Sequence, residues 1–204
     1  MPHYIVVRIR HRNGLISPVT AVRKIYRGEE VKRMYSVDEK DHVVPIKDIP
    51  QSSVGAPIPV VLSDEFVTVV AFYLQKTSDD WDGTSIRIVS KETEGEPLAL
   101  VRFSCCYASM FGPPNDEAFA GHPLADRGLG PYGAYVVENS SWIRRLEQMN
   151  SIHPSHKPRR FWERNHYVLS FHDSTFECVA DDYKVELHWS SLKKILPRMM
   201  EILH

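Results

Sequence analysis

The last third of the chain constrains the fold most, because three strands and the turns between them can be read directly from its pattern. Apolar and polar residues alternate along 166–172, 175–180 and 183–189, and the pairs Asp173-Ser174 and Asp181-Asp182 separate these segments. Alternation bounded by turn-forming residues is typical of antiparallel strands joined by tight turns. The sequence therefore predicts a C-terminal three-stranded antiparallel meander.

The pairing implied by these turns sorts the side chains of the meander onto two faces, because successive side chains of a strand point in opposite directions. One face is apolar and consists of Leu169, Phe171, Phe176, Cys178, Val185 and Leu187. The other face is polar and consists of Ser170, His172, Thr175, Glu177, Glu186 and His188. The second turn would place the Cβ atoms of Glu177 and Glu186 opposite each other, about 5 Å apart.

Two carboxylates at that separation repel each other unless a proton, a cation or a basic side chain intervenes. Carboxylates beside imidazoles suit a divalent metal such as zinc, iron or manganese, and the predicted ligands are His172, Glu177, Glu186 and His188. The same groups suit acid–base catalysis, because a shared proton raises the pKa of one carboxylate. The alternative is an ordinary solvent-exposed sheet face, where charged residues belong.

A Gly/Pro-rich segment, residues 111–133, precedes this region and contains five glycines and four prolines, which exclude long helices and strands. Its large apolar residues predict an ordered loop packed over the sheet. His122 lies between Gly121 and Pro123, which hold its backbone in place. We expect the loop to bring His122 to the polar face, so the predicted catalytic residues are His122, His172, Glu177 and Glu186. The alternative for His122 is a local hydrogen bond that stabilises the loop.

The rest of the pattern predicts an α+β fold, with a mainly antiparallel sheet of about seven or eight strands and two or three short helices. Phe66–Leu74 has the near-continuous apolar character of a strand that is covered on both faces. The spacing of Trp142, Leu146 and Met149 predicts a helix over about 141–150, and a second helix should follow Ser190-Ser191. Pro197 should kink or divide that second helix. Further predicted elements are a strand over 4–10, a helix over 18–27 and a strand over 85–89.

A length of 204 residues predicts one domain spanning 1–204, to which residues 1–60 could contribute an N-terminal lobe. The composition is 43% hydrophobic and 25% charged, which is ordinary for a folded protein and excludes general disorder. Cys105, Cys106 and Cys178 are too few for a disulfide framework, so we expect reduced, mostly buried thiols in a cytoplasmic protein. No apolar run approaches the roughly 20 residues that a membrane-spanning helix needs.

These observations favour a protein that binds a small molecule or another protein. It would present the polar His/Glu face, the Gly/Pro-rich loop and a basic, aromatic segment over 156–164. The alternative is a small hydrolase or isomerase, metal-dependent or acid–base, that uses the residues named above. Nucleic-acid binding is disfavoured, because the net charge is −1 even though residues 1–34 are basic. The sequence contains none of the familiar nucleotide-binding, zinc or hydrolase motifs.

Overall fold

Two antiparallel sheets pack against each other in the computed structural model, which describes residues 35–76 and 88–203. The strands are β1 (His42–Pro45), β2 (Val60–Ser63), β3 (Val67–Tyr73), β4 (Glu96–Ser104), β5 (Ala108–Gly112), β6 (Ala134–Glu138), β7 (Asn165–Ser170), β8 (Thr175–Ala180) and β9 (Asp182–Ser190). The helices are α1 (Ser141–Asn150), α2 (Arg159–Trp162) and α3 (Leu192–Leu203). The strand order is β1-β6-β7-β8-β5 in the five-stranded sheet and β2-β3-β4-β9 in the four-stranded sheet. These elements confirm the predicted α+β class.

Apolar side chains fill three layers. The first lies between the two sheets and includes Phe72, Phe103 and Phe176, each at most 1% exposed. The second covers the outer face of the five-stranded sheet, where α1, α2 and the Gly/Pro-rich loop pack. The third lies between the four-stranded sheet and α3. Both sheets are therefore covered on both faces over much of their area, which agrees with the near-continuous apolar pattern of β3.

The helices follow the predicted spacing. Ser140 caps α1, since its Oγ accepts the amide hydrogen of Ile143, and the helix spans the predicted residues. In α3 the buried residues are Leu192, Ile195 and Met199, and Pro197 lies inside the helix without dividing it. Among the described residues, no helix is both long and apolar enough to cross a membrane.

The predicted pairing of the third meander strand is wrong. β7 and β8 do form an antiparallel hairpin, with Leu169 opposite Phe176, although its register lies two residues from the predicted one. A shift of two preserves the faces, because the side-chain period of a strand is two. β9, however, pairs with β4 in the other sheet, so Glu186 lies opposite Leu100 rather than Glu177.

The reason for this error lies at Asp181, where the chain crosses between the sheets instead of turning back. The amide of Asp181 donates to the carbonyl of Ser104, 3.0 Å away, and the amide of Tyr107 donates to the carbonyl of Val179, 2.7 Å away. Two paired chain segments therefore bend from one sheet into the other at the same corner. Three residues, 105–107, lie opposite two, 180–181, in the manner of a β-bulge, and Cys105 has a φ of 50°.

Several predictions fall on residues that the structure does not describe. The strand over 4–10 and the helix over 18–27 lie outside the described residues, as do the basic residues 1–34 and most of the strand predicted over 85–89. The single-domain organisation and the N-terminal lobe stay predictions. The three cysteines are free thiols, with Cys105 exposed and Cys106 and Cys178 buried.

Candidate functional site

A buried carboxylate, Glu177 of β8, lies at the centre of a buried cluster of polar side chains. Its Oε1 is 3.0 Å from Nε2 of His122, and its Oε2 is 2.9 Å from Nε2 of His166. The hydroxyl of Tyr35 donates to the same Oε2 over 2.7 Å. The side chains of Glu177 and of both histidines are at most 2% exposed. Glu177 is therefore buried, and the alternative of an ordinary solvent-exposed sheet face is wrong at this residue.

The hydrogen bond on the far side of the His122 imidazole defines its tautomer, and the contact on the far side of His166 is compatible with the same tautomer. Nδ1 of His122 accepts the amide hydrogen of Leu124 at 3.1 Å, so the ring proton is on Nε2 and is donated to Glu177. Nδ1 of His166 lies 2.9 Å from Oγ of Ser140, whose hydroxyl hydrogen can point to it. Glu177 thus accepts three hydrogen bonds, which satisfy a charge that would otherwise be costly to bury.

Opposing effects determine the ionisation of this cluster. Burial raises the pKa of Glu177, but the hydrogen bonds from His122 and His166 outweigh it and lower the pKa to about 2. Burial, followed by the charge of Glu177, raises the pKa of Tyr35 far above its ordinary value. The carboxylate is therefore ionised and the phenol protonated at neutral pH, and the cluster is a fixed arrangement of donors around one anion.

The Gly/Pro-rich loop places His122 here, as the sequence predicted. Two 3-10 turns, Phe119–Gly121 and Ala125–Arg127, flank the histidine, and its ring stacks on Phe119 with centroids 5.7 Å apart. Leu124 and Leu129 anchor the loop, being 0% and 5% exposed. The loop covers the polar face of β8 as expected, and it packs closely enough to exclude solvent from Glu177.

The other three predicted site residues lie elsewhere. His172 is in the turn after β7, where its Nδ1 is 2.9 Å from Oδ2 of Asp116. The hydroxyl of Tyr132 donates a short hydrogen bond to the same carboxylate oxygen. The hydrogen bonds that Asp116 accepts from Tyr132 and from His172 lower its pKa. The side chain of His172 is 40% exposed, with Nδ1 held by Asp116 and Nε2 3.9 Å from Oδ1 of the exposed Asp173.

Glu186 and His188 lie on β9, against α3. Nε2 of His188 is 3.2 Å from Glu186, and the guanidinium of Arg198 is 3.0 Å from the same carboxylate. The hydrogen bond from Arg198 is the main cause that lowers the pKa of Glu186. The four predicted metal ligands are therefore split among three places. Within residues 35–76 and 88–203, no group of three or more His, Cys, Asp or Glu side chains could hold a metal ion.

A groove of about 510 Å³ opens beside the buried cluster, between the start of α1 and the end of the basic, aromatic segment. Its lining includes three cationic side chains, Lys40, Arg144 and Arg164, one carboxylate, Glu138, and the ring of Trp162, which is 67% exposed. Arg144 is held by Asp38 at 2.6 Å and Arg164 by Asp181 at 3.3 Å. The guanidinium of Arg164 also lies over the ring of Tyr107, 4.6 Å from its centroid. We call this feature the Trp162 groove.

Sequence reasoning missed two members of the buried cluster. His166 lies on the same face of β7 as Ser170, so strand alternation contained the signal that it faces the Glu177 side of the sheet. Tyr35 gave no such signal, because its position next to Glu177 depends on the path of the chain before β1.

Comparison with known proteins gives no assignment. No family model matches the chain, and no curated protein or solved structure shows significant similarity to it.

Proposed function

We propose that this protein binds a small anionic molecule that carries a flat or apolar portion, and that the Trp162 groove is the binding site. The observation that carries the proposal is the lining, which combines three cations, one carboxylate and an exposed tryptophan ring in one concave surface. A volume of about 510 Å³ lies within the range of small-molecule sites. Cationic side chains would hold the charged group, and the indole ring would stack on the flat portion.

The environment of the groove favours a preformed site. Asp38 orients Arg144 through a hydrogen bond, and Arg164 lies in an ion pair with Asp181 and over the ring of Tyr107, so a ligand would meet guanidinium groups already in position. Ser140 forms part of the groove wall and also contacts His166 of the buried cluster. In this proposal the buried cluster therefore supports the site: through His166 it fixes the position of Ser140 in the groove wall.

The test uses anilinonaphthalene sulfonate, an anionic aromatic dye, as the probe in a fluorescence titration of the folded protein. Trp162→Ala should weaken dye binding about fivefold, because a stacked aromatic pair contributes roughly 1 kcal/mol. Trp189→Ala is the matched control, since Trp189 is equally exposed, at 71%, and lies on β9 outside the groove. If Trp189→Ala weakens binding and Trp162→Ala does not, the proposed site is wrong.

One observation favours acid–base catalysis as a second candidate function. Asp116 occupies Nδ1 of the partly exposed His172 ring, so Nε2, 3.9 Å from the Asp173 carboxylate, would be the nitrogen that acts as a base, an arrangement that hydrolases use to activate a hydroxyl group or water. The test is the hydrolysis of an activated ester such as p-nitrophenyl acetate. Its rate should fall in both His172→Gln and Asp116→Asn. An equal rate in wild type, both variants and a His153→Gln control would exclude this activity for the ester.

A further inference from the structure

The outer edge of strand β9 has no strand partner among residues 35–76 and 88–203. All nine of its residues pair with β4 in an unbroken register, from Asp182 opposite Ser104 to Ser190 opposite Glu96. In the part of the chain that the structure describes, β4 is its only strand neighbour. Alternate residues of such a strand direct N–H and C=O groups outward, where they can pair with another chain. β9 contains no proline and no bulge that would prevent this.

Two large apolar side chains on this strand lie in solvent. Leu187 is 61% exposed and Trp189 is 71% exposed. Tyr183 and Val185, on the same face, are partly buried against the core between the sheets. One face of β9 is thus buried at Tyr183 and Val185 and exposed at Leu187 and Trp189. A second strand paired with β9 would cover these two exposed side chains.

The charges of β9 are self-complementary when a second copy pairs with it antiparallel about Val185. Lys184 then lies opposite Glu186 of the second copy, and the Asp182 carboxylate lies opposite the His188 imidazole of the second copy, where a hydrogen bond can join the two side chains. Twofold symmetry repeats both pairs. Opposite charges that face each other across neighbouring strands stabilise their pairing, and like charges destabilise it. A lysine on an edge strand usually opposes association. In this pairing, however, Lys184 of each copy faces the carboxylate of Glu186 on the other copy.

Neighbouring registers are less favourable. Pairing about Glu186 places that carboxylate opposite its own copy and Lys184 opposite His188, and it matches no opposite charges. Pairing about Leu187 places Glu186 opposite His188 but leaves Lys184 opposite Ser190. Of these three registers, the one about Val185 has the most complementary pairs.

We propose that two copies of this chain associate through β9, antiparallel about Val185, and join their four-stranded sheets into one sheet of eight strands. This interface is isologous, as expected for a twofold dimer. It is independent of the Trp162 groove, which lies at α1 and the end of the basic, aromatic segment.

The experiment is sedimentation velocity over a concentration series, with Lys184→Glu, Glu186→Lys and an equimolar mixture of the two. The wild type should rise from 23.5 kDa towards twice that mass as concentration increases. Each single variant places like charges opposite each other at two symmetric points and should weaken association at least tenfold. In the mixture, positions 184 and 186 are both acidic in one chain and both basic in the other. Each carboxylate then faces an ammonium group across the interface, so association should return.

Lys193→Glu is the matched control, because it makes the same charge change on an exposed residue of α3, away from the edge. It should associate as the wild type does, and circular dichroism should show that every variant is folded. A wild type that stays at 23.5 kDa up to its solubility limit overturns the proposal. So does a dimer that is unaffected by Lys184→Glu, or a mixture that remains monomeric.

Discussion

Replacing Glu177 with glutamine is the sharpest perturbation of the buried cluster. The amide keeps the shape of the carboxylate but has one oxygen acceptor and one NH2 donor in place of two oxygen acceptors. Three donors face this group, from Tyr35, His122 and His166. In either orientation, the new NH2 group meets at least one of these donors, so buried hydrogen bonds are lost and unsatisfied donors remain.

Two arguments give the magnitude. Hydrogen bonds to a charged group contribute roughly 1.5–3 kcal/mol each, and at least one of the three is lost while the charge no longer strengthens the others. Independently, glutamine resembles the protonated carboxyl group, and the pKa of Glu177 falls from 4.5 to about 2 in the folded protein. At roughly 1.4 kcal/mol per pKa unit, that difference corresponds to about 3 kcal/mol. We therefore expect Glu177→Gln to lower the free energy of unfolding by about 3 kcal/mol.

The assay is urea unfolding at pH 7, followed by far-ultraviolet circular dichroism and analysed from the shift in midpoint at constant slope. The corresponding fall in Tm is about 6–12 °C for a chain of this size. Glu163→Gln is the control, because Glu163 is 58% exposed and forms a surface ion pair with Arg159, so it should change stability by at most about 0.5 kcal/mol. A cost for Glu177→Gln no larger than that of the control would refute the reasoning, since it would mean that the three hydrogen bonds add nothing to stability.

Two further predictions concern stability. The first follows from the sign of the pKa shift: because the folded pKa of Glu177 lies below its unfolded value, its contribution is complete above pH 4.5 and is lost as the pH falls towards 2. Urea unfolding across this range should show the stability gap between wild type and Glu177→Gln closing, and a gap of constant size would contradict it. The second is that Pro197→Ala should raise Tm in a thermal melt, with a gain of roughly 2 kcal/mol. Alanine at 197 restores the backbone N–H donor that proline lacks inside α3, which contributes about 3 kcal/mol. The unfolded chain becomes more flexible without proline, which offsets about 1 kcal/mol of that gain. An unchanged or lower Tm would show that the turn before Pro197 already accommodates the ring without cost.

Local periodicity predicted much of the fold, because the pattern of one segment largely determines that segment's structure. The capped helix at Ser141–Asn150, the buried strand β3 and the hairpin of β7 and β8 all follow from spacing within a few residues. The face of Glu177 was also correct, since alternation survives a register error of two residues.

The prediction failed at Asp181-Asp182, where the chain crosses to the second sheet instead of reversing. Nearby residues do not decide between these two paths. Asp181-Asp182 is equally suited to reversing the chain or to bending it across to a second sheet. What decides is the position of Ser104, which accepts from Asp181 and lies 77 positions earlier in the chain. The apolar residues of β9 satisfy either arrangement, because they can face the same core from the same sheet or from the opposite one.

The candidate site was predicted in part for the same reason. Glu177 and His122 were chosen from the alternation of a strand and the stiffness of a loop, and they do meet, 3.0 Å apart. Glu186 and His188 were joined to them only through the assumed turn, so they separated when the chain crossed to the other sheet. The Trp162 groove depends on three distant segments, which no single stretch of sequence could reveal.

The corner at Cys105 and Asp181 has a consequence for how the chain folds. The same two segments, 96–112 and 175–190, supply paired strands to both sheets. Neither sheet can complete its pairing until these segments have met, and a loop of more than 60 residues must close first. Topologies dominated by such distant contacts fold slowly, on the order of milliseconds to seconds. We therefore expect the two sheets to form in one kinetic step, and we expect the pairing of 96–112 with 175–190 to limit its rate.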